Sequence, residues 1–230
     1  VTPNHRLPYY SYSEGLKDLR IVEARDLKVS NDKRYAKAGY TANTSAKFSQ
    51  AYLRLLVAVQ ADGHFSNDCS AIVFSFVKER KIARLCSILE ELGCKFNQTH
   101  HIRKGRQETT IRLMSSELTC KIRTDLPEKK FSTNLLDISL EEIKVFLSEI
   151  KFWDGTVKQN GDVVYDTMCF QSGEMVATLA ALGGIRTKMN KYTKKTNYGT
   201  CNILRVYLSN VSNRFQGVNE LTPVAYKGHV

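Results

Sequence analysis

The sequence repeats itself, and this repeat constrains the fold more than any other feature of the chain. An Asp-Gly pair at residues 62–63 recurs at residues 154–155, which is 92 residues later (154 − 62). Apolar residues precede each pair at intervals of three and four, which predicts an amphipathic helix that ends at the aspartate. Glycine after a helix often takes a left-handed conformation, so we expect Gly63 and Gly155 to do so.

The same order of elements follows each Asp-Gly pair. A turn and a β-rich run come first ("AIVFSF" and "VVYDTMCF"), then a second amphipathic helix that closes on Leu-Gly, then two more strands. Each half therefore reads α-β-β-α-β-β and predicts a four-stranded antiparallel sheet with its helices on one face. The predicted fold class is α+β with pseudo-twofold symmetry, in which the two helices that end in Asp-Gly pack together.

Basic residues recur at matching places in the two halves of a chain whose net charge is +11. The loop between the last two strands is centred on Gly105 in one half and Asn197 in the other, each 43 residues past its aspartate (105 − 62 and 197 − 154). A single charged run is usually a solvated face, but two at equal offsets favour a polyanion-binding surface. The predicted DNA-binding residues are Arg103, Lys104, Arg106, Arg112, Lys191, Lys194, Lys195 and Arg205.

The two aspartates have a chemical interpretation if their helices pack side by side. Asp62 and Asp154 would then meet at the symmetry axis, where two carboxylates repel unless a cation lies between them. A hard divalent cation suits this position, and a cation so held can activate a water and stabilise the leaving oxygen of a phosphodiester. The alternative is that each aspartate merely ends its helix before a glycine turn.

Two stretches of the sequence resemble the signature motif of a known family. "LLVAVQADG" at 55–63 and "LSEIKFWDG" at 147–155 resemble the paired nonapeptides of the LAGLIDADG homing endonucleases, and the similarity covers residues 44–212. The sequence before the second motif is similar to the linker and helix of intein-borne members of this family. The resemblance implies two halves with β-saddles, at residues 44–130 and 131–212.

The resemblance also implies an activity and its cofactor. A monomer of this family binds a long, specific site on double-stranded DNA through both saddles and cleaves both strands. The residues expected to bind the metal, Mg²⁺ or Mn²⁺, are Asp62 and Asp154, with the backbone of Gly63 and Gly155 beside it.

Three positions depart from the pattern of the family. The third motif position, commonly glycine, is Val57 in one copy and Glu149 in the other. Intein-borne members often carry a catalytic lysine three residues before the proline that precedes the second motif, and this position is Thr124 here. We therefore expect one of the nearby cations, Arg123, Lys129 or Lys130, to supply the catalytic charge, with Arg123 and Lys129 as the principal candidates. The alternative is a catalytically degenerate DNA-binding or RNA-binding domain within an intein.

The ends of the chain, residues 1–43 and 213–230, fall outside the repeat. They resemble the β-rich flanks of an intein splicing domain of the Hint type, in which Thr2 and His5 match a T-x-x-H motif. The chain as given has neither the nucleophilic first residue nor the terminal His-Asn pair of that family. We therefore expect no self-splicing from this chain.

Two further expectations concern the cellular setting. The six cysteines are scattered without a C-x-x-C pair, which is typical of reduced thiols in the cytoplasm rather than of disulfides or zinc sites. No apolar run reaches the length of about 18 residues that a membrane helix needs, so we expect no membrane partner.

Overall fold

The computed structural model describes residues 4, 6–11, 13, 19–26, 30–36, 44–66, 71–103, 105–196, 199–209 and 215–218. Thr2, His5 and Lys104 lie outside the described residues, and so do Cys69 and Asn197. The roles predicted for Thr2, His5 and Lys104 therefore stay predictions.

Three strands precede the repeat: β1 (Arg6–Ser11), β2 (Leu19–Glu23) and β3 (Ser30–Ala36). Strand β1 pairs antiparallel with both β2 and β3.

The first half of the repeat begins with helix α1 (Gln50–Asp62), followed by β4 (His64–Phe65) and β5 (Ala71–Phe76). Helix α2 (Glu79–Glu91) comes next, then β6 (Asn97–Arg103) and β7 (Arg106–Met114). The four strands form an antiparallel sheet in the order β4-β5-β7-β6. Helix α3 (Glu117–Asp125) and two single turns of 3-10 helix then lead into the second half.

The second half repeats this arrangement. Helix α4 (Leu140–Ile150) is followed by β8 (Gly155–Val157), β9 (Val163–Thr167), α5 (Phe170–Leu182), β10 (Thr187–Thr196) and β11 (Gly199–Leu208). Its sheet has the order β8-β9-β11-β10, which matches the first sheet strand for strand. The predicted α+β fold with two αββαββ copies is confirmed, and α3 is an element that the repeat does not contain.

The last strand, β12 (Phe215–Val218), returns to the flanking strands and pairs antiparallel with β3. The flanking sheet therefore has the order β12-β3-β1-β2 and joins the two ends of the chain.

One hydrophobic core runs through both halves of the repeat. Helix α1 contacts α4, and Leu53, Leu55, Leu56 and Val59 on α1 are all 0% exposed. A leucine side chain that leaves water completely contributes roughly 1.5–3 kcal/mol to folding. Burial around most of its circumference therefore stabilises α1, the helix that carries Asp62.

Serine residues cap both central helices. Ser49 accepts a hydrogen bond from the N–H of Tyr52 at the start of α1. Ser139 and Glu142 form the capping box that the sequence predicts at the start of α4.

The glycines after the two aspartates differ from the prediction. Gly63 has φ −70° and ψ 152°, and Gly155 does not have a positive φ, so neither takes the left-handed conformation. The chain instead leaves in an extended form and passes close to the helix end. A Cβ on Gly63 would lie 2.8 Å from both Cα and O of Val59, and one on Gly155 would lie 2.7 Å from the carbonyl oxygen of Ile150. Close approach of backbone is the physical reason for glycine here.

The helix of the second motif, α4, ends earlier than predicted. Helix α1 continues to Asp62, whereas α4 ends at Ile150 and residues 151–154 form turns. In this segment Phe152 N–H donates to the carbonyl of Glu149 over 2.9 Å, and Trp153 N–H donates to that of Ile150 over 3.3 Å. The last turn before Asp154 is therefore tightened into a three-residue spacing.

Within the described ranges, no helix is long and apolar enough to cross a membrane. The five cysteines in that part of the chain carry free thiols.

Candidate metal and nucleic-acid site

Asp62 lies at the carboxyl end of α1 and is half-buried. Its Oδ2 atom is in contact with Nζ of Lys81, a residue in the first turns of α2. The side chain of Lys81 is only 11% exposed, and its ammonium lies 5.6 Å from the centre of the Trp153 ring. A cation thus bridges the end of the first motif and the end of the second.

Asp154 lies close enough to Asp62 for the two charges to interact. Although the Asp154 side chain is exposed, partial desolvation by the neighbouring protein raises the pKa of its carboxyl, and the negative charge of Asp62 raises it further. The positive charges of Lys81 and Lys129 act in the opposite direction and lower the pKa. The two predicted carboxylates and two lysines therefore form one electrostatic cluster.

Lys129 reaches this cluster from the segment that connects the two halves. Its Nζ atom donates to the carbonyl oxygen of Ala61 over 3.3 Å. Burial lowers the pKa of the Lys129 ammonium, while Asp62 and Asp154 raise it. The backbone that delivers this side chain is strained, because Glu128 and Lys129 have φ values of 52° and 59°. Such conformations cost on the order of 1–3 kcal/mol each and often occur at functional sites.

The other predicted cation, Arg123, is held elsewhere. Its guanidinium donates to the carbonyl oxygen of Ala71 over 3.1 Å and lies 4.8 Å from the centre of the Phe65 ring. Thr124 is exposed, and its hydroxyl donates to the carbonyl oxygen of Cys120 within α3. Of the candidates for the catalytic cation, Lys129 is therefore the one that interacts with both aspartates.

Two uncharged side chains extend the cluster below the aspartates. The hydroxyl of Tyr165, on β9, donates to Oε1 of Gln60, on α1, over 3.2 Å. Burial raises the pKa of the Tyr165 hydroxyl, and the charge of Asp154 adds to the shift. This hydrogen bond joins β9 of the second half to α1 of the first half, two residues before Asp62.

The chemistry of the donor set fits a hard divalent cation. Asp62 and Asp154 supply carboxylate oxygens, the ligand type that Mg²⁺ and Mn²⁺ prefer, and their mutual repulsion is relieved when a cation binds. No group of three or more His, Cys, Asp or Glu side chains suited to a metal occurs in the ranges that the structure describes. A metal would therefore take two protein carboxylates and complete its coordination with water and phosphate oxygens.

Sequence reasoning did not identify Lys81, Gln60 or Tyr165 as part of the site. Lys81 had one usable signal: α2 carries Arg80, Lys81 and Arg84, whereas α5 contains no lysine or arginine. A departure from the repeat, rather than a match to it, marks this position.

The outer face of each sheet, defined as the face away from the helices, carries part of the predicted basic surface. On β7 the side chains of Ile111 and Leu113 are buried toward the helices, so Arg112 between them lies on the outer face. Its neighbours across the sheet are Val73 and Asn97, neither of which is acidic. Arg103 and Arg106 pair at the turn around Gly105, which has φ +73°.

The second sheet places its cations on both faces. Arg205 lies on the outer face of β11, and its guanidinium binds Asp166 through two hydrogen bonds of 2.7 Å each. Lys194 shares this face, because it lies four residues along β10 from Asn190, the partner of Arg205. Lys191 and Lys195 lie on the opposite face, where the ammonium of Lys191 is 4.9 Å from the centre of the Phe170 ring.

No family model matches the chain, and no curated protein matches it. Solved structures do match at low identity. A full-length DUF199/WhiA from Thermatoga maritima is 13% identical with a TM-score of 0.48, over 73% of this chain and 54% of that one. This chain thus spans about half the length of that protein.

Two further solved structures are similar to the same extent. A crystal structure of I-DmoI in complex with DNA and Mn is 14% identical with a TM-score of 0.48, over 70% of this chain and 89% of that one. The N-terminal LAGLIDADG domain of DUF199/WhiA is 14% identical with a TM-score of 0.45, over 73% of this chain and 80% of that one. The fold assignment rests on the strand orders of the two sheets and on the contact between α1 and α4.

Proposed function

We propose that this chain is a metal-dependent, site-specific endonuclease that cleaves both strands of double-stranded DNA. The observation that carries the proposal is that Asp62 and Asp154, from the two motifs, interact electrostatically with each other and with two lysines, of which Lys81 contacts Asp62 and Lys129 donates to the carbonyl oxygen of Ala61. Two carboxylate ligands for a metal, with two adjacent cations, are groups that can promote the hydrolysis of a phosphodiester.

Each group has a defined task in this proposal. Asp62 and Asp154 hold Mg²⁺ or Mn²⁺, which supplies an activated water and stabilises the leaving oxygen when bound. Lys129 and Lys81 direct positive charge toward the scissile phosphate and offset the charge that develops on its oxygens. The hydrogen bond between Tyr165 and Gln60 holds β9 of the second half against α1 of the first half, close to Asp62 in the sequence of α1.

Binding to the DNA backbone is assigned to the cations of the outer faces and turns. Arg103, Arg106 and Lys194 contact phosphates, and Arg112 reads a base edge in the major groove. One chain supplies both halves of this surface, so the proposed active form is a monomer. Lys104, Lys191, Lys195 and Arg205 keep their predicted roles as further contacts to DNA.

A second candidate is a DNA-binding or RNA-binding domain that no longer cleaves. The contact between Lys81 and Asp62 favours it, because an ammonium held against the carboxylate competes with a metal for that ligand. In this alternative the lysine replaces the metal and the fold is retained for binding alone.

The test begins with a pool of random-sequence DNA duplexes, from which bound molecules are selected in Ca²⁺ over several rounds. Selected sequences are cloned into a plasmid and incubated with the wild type in Mg²⁺ or in EDTA. Asp62→Asn and Asp154→Asn are run beside it, with Asp137→Asn as the matched control because Asp137 is exposed and lies outside the cluster. Binding is measured by gel shift in every sample.

The proposed function predicts linear product that needs Mg²⁺ and both clustered aspartates, while Asp137→Asn behaves as the wild type. Sequence-selective binding with no cleavage in Mg²⁺ or Mn²⁺ would reject the nuclease and support the binding domain. Restored cleavage in Lys81→Met under that outcome would identify the lysine as the group that blocks the metal.

The flanking sheet supports a separate proposal about the ends of the chain. Strand β12 joins β3 in one sheet, so β1, β2, β3 and β12 belong to a single flanking sheet, between whose strands β3 and β12 the repeat is inserted. We propose that this unit is the remnant of a splicing domain, with Thr2 and His5 in its motif. Adding a nucleophilic first residue and a terminal His-Asn pair, then looking for spliced product, tests this proposal.

A further inference from the structure

The backbone that leads to Asp154 is held differently from the backbone that leads to Asp62. Helix α1 ends at Asp62 itself, so regular helical hydrogen bonds set the position of that carboxylate. Helix α4 ends four residues earlier, at Ile150, and the remaining segment forms tight turns. The hydrogen bonds of its own helix therefore do not suffice to place Asp154.

Side chains from the first half hold this segment instead. Arg80, on α2, donates to the carbonyl oxygen of Phe152 over 2.7 Å. The guanidinium of Arg84 lies 4.2 Å from the centre of the Phe152 ring. The ring of Phe76 lies 5.9 Å from that of Trp153, centre to centre. Side chains of the first half thus contact the backbone and ring of Phe152 and the ring of Trp153, the two residues before Asp154.

The buried carboxylate of Glu149 lies at the centre of these contacts. Glu149 is 1% exposed and accepts a hydrogen bond of 3.1 Å from Nε of Arg84, whose Nη2 contacts its other oxygen. Nε1 of Trp153 donates to Glu149 Oε1 over 2.8 Å. Arg84, Glu149 and Trp153 therefore form one chain of charge-assisted hydrogen bonds that ends one residue before Asp154.

Stability alone does not account for a charged group at this position. The matching residue of the first motif is Val57, which is 0% exposed and packs in the core without any polar partner. A buried ion pair can often be replaced by apolar residues of similar size without loss of stability, because desolvation offsets the attraction between the charges. What Glu149 offers and valine does not is a directed bond to the indole of Trp153.

We propose that Arg84 is a positioning residue: acting through Glu149 and Trp153, it sets the Asp154 carboxylate for metal binding from the opposite half of the molecule. This inference rests on the proposed function. It makes the Asp154 side of the site dependent on α2 of the first half, and the two halves unequal in how they build their ligands. Groups that orient a metal ligand typically change metal affinity by about 10-fold to 100-fold when they are removed.

The test separates positioning from stability with a double variant, Arg84→Met with Glu149→Leu, which removes the pair without leaving a buried charge. The matched control is Arg54→Met, because Arg54, on α1, forms a comparable ion pair with Glu91 at the last residue of α2, two helical turns from Arg84. Unfolding in urea measures stability. Binding of Mn²⁺ is measured in the complete chain, without DNA, from the loss of the free-ion electron paramagnetic resonance signal.

In the double variant Nε1 of Trp153 loses its acceptor, so a modest fall in the urea midpoint is expected. The inference predicts that this variant is nevertheless fully folded without urea and binds Mn²⁺ at least about 10-fold more weakly. Arg54→Met is expected to bind Mn²⁺ as the wild type does. Arg84→Lys provides a second reading if the double variant is unstable: it keeps the charge, loses the two-point contact, and is expected to weaken Mn²⁺ binding.

Two outcomes overturn the inference in distinguishable ways. A wild type that cleaves DNA and binds Mn²⁺, beside folded Arg84 variants that bind Mn²⁺ equally well, rejects the positioning role and leaves the nuclease intact. A wild type that neither binds Mn²⁺ nor cleaves DNA rejects the proposed function and this inference together.

Discussion

The backbone N–H of Phe48 donates a hydrogen bond to Glu142 Oε1 over 2.6 Å, and this bond joins the two halves of the repeat. The N–H of Lys47 donates to the same oxygen over 2.8 Å. The other oxygen, Oε2, accepts from the N–H and the hydroxyl of Ser139 over 2.8 and 2.7 Å. One buried carboxylate therefore caps α4 and fixes the segment that leads into α1.

The first prediction follows from the ionisation of Glu142. Burial alone would raise its pKa, but hydrogen bonds from Ser139, Phe48 and Lys47 outweigh burial and hold the pKa below its ordinary value. With a folded-state pKa below the unfolded-state value of about 4.3, the carboxylate stabilises the fold above that pH. Its contribution is lost as the pH falls through the folded-state pKa.

Glu142→Gln is therefore expected to lower the free energy of unfolding by about 1.5–3 kcal/mol at pH 7, and by progressively less below about pH 4.3. Urea unfolding at a series of pH values measures the difference. Glu141→Gln is the control, because Glu141 is a neighbouring exposed carboxylate. A constant difference between wild type and Glu142→Gln at all pH values would contradict this assignment.

The second prediction concerns the glycine after the first motif. Gly63→Ala places a Cβ 2.8 Å from the backbone of Val59, so the helix end must shift. We expect a loss of about 1–3 kcal/mol in the free energy of unfolding, together with slower DNA cleavage because Asp62 moves with it. Gly93→Ala is the comparison: it meets no atom within 4 Å, and its positive φ of +64° affects stability alone. Equal cleavage by wild type and Gly63→Ala would show that the end of α1 relaxes freely.

A third prediction concerns the metal. A cation that binds only the folded protein raises the free energy of unfolding and therefore the thermal midpoint of the protein. When the cation concentration is 100 times Kd, the free energy of unfolding rises by roughly 2.7 kcal/mol. For a chain of this size each kcal/mol corresponds to about 2–4 °C. Millimolar Mg²⁺ is expected to raise Tm of the wild type by several degrees, an effect that EDTA reverses. Asp62→Asn and Asp154→Asn are expected to show no such rise. An equal rise in the variants would place the metal elsewhere.

The fourth prediction concerns Asp154 without metal. Partial desolvation and the charge of Asp62 hold its folded-state pKa above the ordinary value, so ionisation opposes folding, and the cost grows as the pH rises from the unfolded-state pKa to the folded-state pKa. Asp154→Asn removes this cost. In EDTA at pH 7 its Tm is expected to equal or exceed that of the wild type, and the difference is expected to disappear at pH 3. A lower Tm at pH 7 would contradict the repulsion between the two aspartates.

The fifth prediction separates two arginines at matching positions of the sheets. Arg205 is bound by Asp166, whereas Arg112 faces Val73 at the equivalent place. Arg112→Ala is therefore expected to weaken binding to the selected DNA by about 10-fold or more, in line with the loss of 1–3 kcal/mol for a base contact. Arg205→Ala is expected to have a smaller effect.

Asp166→Asn completes this comparison, because it releases Arg205 and removes a negative charge. It is expected to tighten binding and to steepen the slope of log K against log salt by up to about 0.9 for each new phosphate contact. Gel shifts at several salt concentrations measure both quantities. Equal losses in Arg112→Ala and Arg205→Ala would show that the ion pair opens at no cost.

The predictions that succeeded from sequence depend on short-range or repeated signals. The capping box of Ser139 and Glu142 spans three residues, and its outcome depends on backbone geometry within one helical turn. The αββαββ order follows from hydrophobic periodicity within each segment, and its repetition confirmed the assignment of each element. The bounds were less certain: the run that begins at Val163 was expected to continue as a strand, but α5 starts at Phe170.

The predictions that failed depended on how separate segments approach each other. A left-handed Gly63 is the common end of a helix, but here the following strand β4 must turn back at once toward its sheet, which requires extended backbone against Val59. From the sequence, Glu149 was a departure from the family pattern, because glycine is common at this motif position. In the structure its partner Arg84, 65 residues away, explains it.

By itself, the sequence determined that this chain contains two copies of one unit, that an aspartate follows the first amphipathic segment of each copy, and that basic residues recur between the last strands. These properties are local or repeated, so periodicity and spacing reveal them. The sequence placed the end of the second of these helices at Asp154, four residues too late. Only the tertiary structure decided that Lys81 and Lys129 join Asp62 and Asp154, while Arg123 and Thr124 do not. It also decided that Arg80 and Arg84, on α2 of the first half, contact the turn before Asp154 of the second half. Contacts of this kind depend on the packing of α1 against α4, because side chains distant in sequence become neighbours only after the two halves share one core.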